Sequence, residues 1–88
     1  EGNDVYVSQN ISLSQAILGD IIEVPTLTDK LKIRVKSGTQ PNTLVRLRGQ
    51  GIKDVSGYGV GDLYIRLNIV IPSRLNSRQK ELIKELGL

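Results

Sequence analysis

The chain has 88 residues, enough for one small domain around a single core. It contains no Cys and no His, which excludes a disulfide framework, an ordinary zinc site, an imidazole base and a Ser-His-Asp triad. The net charge of +3 is mild, short of the concentrated charge of a typical nucleic-acid binder, and no apolar run approaches the ~20 residues that span a membrane. The only aromatic residues are Tyr6, Tyr58 and Tyr64, so the core must be built from Ile, Leu and Val, residues that suit sheets.

In chain order, Val5, Val7, Ile11 and Leu13 fall on one face at period two, interrupted by Gln9, and predict a strand over residues 4–12. Ser12 and Gln15 occupy the S-x-x-Q positions of a capping box. They predict a short helix over 13–18, with Gly19 placed to end it in the left-handed conformation. Residues 20–24 read as a second strand, stopped or held at an edge by Pro25. Thr28-Asp29 forms a turn. Leu31, Ile33 and Val35 then alternate with Lys30, Lys32, Arg34 and Lys36, one face buried and one solvated.

Residues 37–42 are a loop, and Leu44–Arg48 a further strand broken by Gly49-Gln50-Gly51. Residues 52–61 form an irregular loop. The longest alternation runs through Leu63, Ile65, Leu67, Ile69 and Ile71 to Pro72 and predicts a central strand. Asn76, with Gln79 three residues on, caps a helix over 77–86 that Gly87 closes. The whole predicts a mainly β fold, a small two-sheet sandwich with one short internal helix and a C-terminal helix.

Four features bear on chemistry. Gly57-Tyr58-Gly59-Val60-Gly61 is followed by a strand, whereas phosphate loops lead into a helix, so it reads as a tight reversal. The ladder Lys30, Lys32, Arg34, Lys36 suits phosphate, an acidic protein or plain solvation. No aromatic residue interleaves it for base stacking. The carboxylates form no calcium loop and no acid pair at catalytic spacing. The stripe Leu82, Ile83, Leu86 and Leu88 either closes the domain's own core or meets a partner subunit.

The order of the pieces says more. Gly2–Val7, Ile11-Ser12-Leu13, Gln15–Gly19, Ile22–Leu27, Gly38-Thr39-Gln40, Arg46–Ile52, Gly61–Ile65 and Leu75–Lys80 follow one another in the order and near the spacing of the DnaJ (Hsp40) co-chaperone family. The chain resembles that family's second C-terminal β domain, residues 1–72, followed by the start of its dimerisation helix, residues 73–88. The short 52–61 loop is closer to bacterial or organellar type I members. Departures from the family pattern fall at Gln9-Asn10, at Thr28-Asp29 and at Lys36-Ser37.

The resemblance implies a non-enzymatic, cofactor-free fragment that binds unfolded or non-native polypeptide, forms a homodimer, and serves Hsp70 through the full-length protein. Nucleic acid and membrane are not among its implied partners. A nucleic-acid-binding β domain and a pure assembly module are the rival readings. The client site is expected at Ile21, Ile22, Val24 and Leu27, where a sheet edge limited by Pro25 could take a peptide. Dimerisation is expected at Leu82, Ile83, Leu86 and Leu88. The J domain's His-Pro-Asp signal and the zinc region's Cys pairs have no counterpart here, and the start at Glu1 without Met reads as a piece of a longer chain. The family's dimerisation tail can extend past position 88. The compartment is left open between cytoplasm and an organelle such as the mitochondrion.

Overall fold

A computed structural model describes residues 2–26, 29–52 and 59–88. Five strands and two helices follow the order β1 (Val5–Ser12), α1 (Leu13–Leu18), β2 (Asp20–Pro25), β3 (Lys30–Val35), β4 (Thr43–Leu47), β5 (Leu63–Val70) and α2 (Ser77–Leu86). They form a three-stranded sheet in the order β1-β5-β4 and a two-stranded sheet of β2 and β3. The expected mainly β, two-sheet fold is therefore present, with one short internal helix and one C-terminal helix.

β5 is the central strand, parallel to β1 and antiparallel to β4. Its alternation explains the position: Leu63, Ile65 and Leu67 are fully buried, while Arg66 is exposed. Ile33, Val35 and Val24 reach the same core from the second sheet, and Ile11 and Ala16 complete it. Gln9 keeps its place in β1 without breaking it, paired in register with Leu67.

Two local expectations changed. Leu13 leaves the β1 face, because Ser12 caps α1 and Leu13 becomes its first residue. Gly19 takes φ 82 and ψ 157, outside the left-handed helical region. The chain must turn from α1 straight into β2, and a β-carbon at Gly19 would lie 2.9 Å from the Val35 carbonyl oxygen. Thr28 of the expected turn and Gly57-Tyr58 of the glycine run lie outside the described residues; Gly59 has a positive φ of 145.

A clamp at one end of the central strand accounts for several of the sequence blocks. Ile52 N–H donates to the Asn3 carbonyl at 2.7 Å, and Gly51 and Gly61 exchange bonds with the neighbouring backbone. Asp62 Oδ2 accepts from Arg46 Nε at 2.7 Å and Oδ1 accepts from Gly49 N–H at 3.0 Å. The Asp62 N–H in turn donates to Asp4 Oδ1 at 2.7 Å. Gly49 N–H first and Arg46 second hold the Asp62 carboxyl below the usual carboxylate range. At the other end, Gly38 and Thr39 donate to the Ile17 and Ala16 carbonyls and satisfy the end of α1.

Candidate functional site

An apolar groove of about 550 Å³ lies between α1, the end of β5 and α2. Leu13, Ile17 and Leu18 form one wall, Val70 and Pro72 the floor, and Ile83, Leu86 and Leu88 the other wall. Each wall has a local cause. The Ser12–Gln15 capping box starts α1 so that Leu13 and Ile17, four residues apart, share a face. β5 alternates, so Val70 points away from the core that holds Leu67.

α2 has the same construction as α1 on a longer scale. Asn76 Oδ1 accepts from Gln79 N–H at 2.8 Å, and Gln79 Oε1 accepts from Asn76 N–H at 2.9 Å. Gly87 closes the helix in the left-handed conformation. Yet α2 buries none of its residues. Leu86 is 70% exposed, Leu82 42% and Leu88 64%, and Ile83 alone is half-buried. The molecule is correspondingly elongated, 59 × 20 × 20 Å. α2 is thus a capped amphipathic helix whose apolar side is largely open to solvent.

The four residues expected to carry dimerisation divide: Ile83, Leu86 and Leu88 line the groove, and Leu82 is exposed outside it. The four expected to meet a client divide further. Ile21 is 63% exposed on β2, Ile22 packs half-buried against the core, and Val24 is 1% exposed within it. Leu27 lies outside the described residues. Val24 thus supports the sheet from inside, and Ile21 is the side chain of this set that the described structure offers to solvent.

Sequence reasoning missed the opposing wall of the groove. Leu13 and Ile17 sit at the i and i+4 positions of a helix whose cap was recognised, and that spacing was the available signal. It also missed the pair Tyr6 and Tyr64, whose rings stack at 4.8 Å with 10° between planes. They are direct partners in the β1–β5 register, a pairing that depends on strand order. Among the described residues no group of acidic side chains could hold a metal ion, and no helix is long and apolar enough to cross a membrane.

Comparison with known proteins gives a consistent result. The family model described as DnaJ C terminal domain matches residues 1–72. The chain is 47% identical over 99% of its length to the protein named Chaperone protein DnaJ from Staphylococcus epidermidis. It is equally similar to those of the same name from Staphylococcus saprophyticus and Staphylococcus aureus. It spans 23% of the length of these relatives.

Proposed function

We propose, starting from the fact that this chain belongs to the DnaJ C-terminal domain family and is of the bacterial type I kind, that it is the part of a co-chaperone that joins two protomers and holds non-native polypeptide for Hsp70. The observation that carries this reading is the apolar groove between α1, β5 and α2, flanked by a helix with no buried residue. Leu86, Leu88 and Ile83 from one copy offer a stripe that the groove of a second copy can cover, an isologous arrangement in which each gives what it receives.

The client contact is weaker and more extended. Ile21 supplies an apolar anchor on β2, and two such arms on one dimer raise the hold on a long chain through effective concentration. Function of this kind requires no bond making, and the fragment acts without a cofactor. Catalysis is foreign to it, as the relatives named chaperones suggest.

Sedimentation equilibrium of the chain tests the first half: a monomer–dimer equilibrium is expected. Suppression of aggregation of a denatured test protein tests the second. A chain that dimerises but leaves aggregation unchanged is an assembly module, and the client half of the reading then falls.

A further inference from the structure

Both walls of the apolar groove belong to one chain. Leu13, Ile17 and Leu18 come from α1, and Ile83, Leu86 and Leu88 from α2 and the residues after it. The walls stand apart, since Leu18 is 76% exposed and Leu86 and Leu88 are nearly as open. No charged side chain lines the space between them. Arg78, Lys80, Glu81, Lys84 and Glu85 lie elsewhere on α2. Bringing the walls together therefore removes apolar surface from water and strips no charge of its hydration.

The connection to α2 permits that movement. Residues 71–76 join β5 to α2 without helix or strand. Residues 71–74 are exposed and Leu75 is half-buried. Pro72 has no N–H, and among the described residues no backbone hydrogen bond ties residues 72–75 to the β domain. A hinge needs only a few such residues to absorb a change in φ and ψ. Beyond it α2 moves as a rigid body, held at its start by the Asn76–Gln79 capping box and at its end by Gly87. Its second half already borders the groove, so the swing that closes it is short.

We propose that α2 is a self-closing lid. The helix swings about residues 71–76 and lays its own Ile83, Leu86 and Leu88 on Leu13, Ile17 and Leu18. The groove then has two rival occupants, the chain's own α2 and a second copy. The inference rests on the dimer reading above and adds its regulation. Closure is intramolecular and independent of concentration, whereas pairing of two copies rises with concentration. Burial of the three aliphatic side chains favours the closed form, and fixing the hinge backbone opposes it. The two effects are of similar size, so open and closed chains coexist in dilute solution. A copy pairs only when open, which lowers the apparent dimer affinity in proportion to the open fraction. Chains without a partner thereby hide part of their apolar surface.

The chain has no Cys, so the double variant Ser37→Cys with Glu85→Cys takes a pair of spin labels at exposed positions outside the groove. Ser37 stands beside the end of α1, where the Gly38 N–H donates to the Ile17 carbonyl. Pulsed EPR of the labelled chain, diluted below its dimerisation range, should give two distances, the shorter from the closed lid. Excess unlabelled chain should shrink the shorter one as sedimentation registers the dimer. Ile17→Asp in the labelled chain should cut the short-distance fraction about five-fold or more, while Leu82→Asp, outside the groove, should keep it. A single distance at every concentration, in a chain that sedimentation shows to dimerise, overturns the lid and leaves the dimer reading standing. A short distance that persists under excess unlabelled chain overturns it too, because no competition then exists; absence of a dimer in the same sample would sink the dimer reading as well. A short distance unchanged by Ile17→Asp assigns the approach to another contact and likewise overturns the lid.

Discussion

Gly61 lies directly against the backbone of Asn3, so close that a β-carbon at Gly61 would collide with the Asn3 carbonyl. The contact ties the start of β1 to the approach of β5, and Val5 N–H donates to the Asp62 carbonyl immediately beside it. The collision is with backbone on both sides, so no side chain can swing away to relieve it.

Gly61→Ala is therefore expected to destabilise the domain by about 2 kcal/mol or more, as overpacking against a fixed backbone does. Gly49→Ala provides the contrast: its φ is 72 but nothing lies near a β-carbon there, and the left-handed strain costs only about 1 kcal/mol. Urea unfolding of both variants checks the order. A larger loss for Gly49→Ala would mean that the Asn3 contact is soft.

The Asp62 carboxylate should make stability fall in acid. Its folded pKa is depressed by the Gly49 N–H and by Arg46. The carboxylate's contribution is then present above the unfolded value of about 3.9 and lost as pH falls through the lower folded value. Asp20 adds to the same trend, its pKa lowered by the Gln15 amide and then the Ile21 N–H. Thermal unfolding of Asp62→Asn between pH 7 and pH 2 should show a lower midpoint at neutral pH and a flatter acid limb than the parent.

At the other end of the chain, Leu86→Asp should favour the monomer while leaving the β domain's unfolding midpoint within about 0.5 kcal/mol of the parent, because α2 buries no residue. Leu82→Asp should act more weakly, since Leu82 stands outside the groove that Leu86 lines. Ile17→Asp, on the facing wall, should reproduce the effect of Leu86→Asp. Sedimentation and chemical denaturation read the two consequences separately. Loss of the β domain in Leu86→Asp would assign the stripe to the domain's own core.

Ile21 and Val24 should separate sharply on mutation. Ile21→Ser, at a largely exposed position, should reduce suppression of aggregation with little loss of stability. Val24→Asp places a carboxylate in the core and should cost about 3 kcal/mol or more. Unaltered aggregation suppression by a folded Ile21→Ser variant would remove Ile21 from the client surface.

What was legible in the sequence was what lies within one element. The boundaries of α2 follow from Asn76, Gln79 and Gly87, and the structure places Ser77–Leu86 in the helix. The central position of β5 was legible because its unbroken alternation requires burial. Relationships between elements were not. Tyr6 and Tyr64 stack because β1 and β5 run parallel with those residues opposite, and neither orientation nor register is written in either strand alone. The burial of Val24 and exposure of Ile21 followed from period two once the inner face was known, but the run Ile21-Ile22-Glu23-Val24 offers both faces an apolar residue. The groove needed both helices and the end of β5 at once.

The two edge aspartates carry a consequence for how copies of this chain meet. A short sheet with open flanks is a template, and identical copies stacked flank to flank would seed a fibre. Asp20 and Asp29 withhold the Ile21 and Lys30 N–H groups, and Pro25 interrupts what remains of the β2 flank. The lysines and Arg34 of one copy would meet the same cations on the next, so self-stacking is penalised. Salt should screen that repulsion, leaving filament growth as the hazard against which the charge pattern guards.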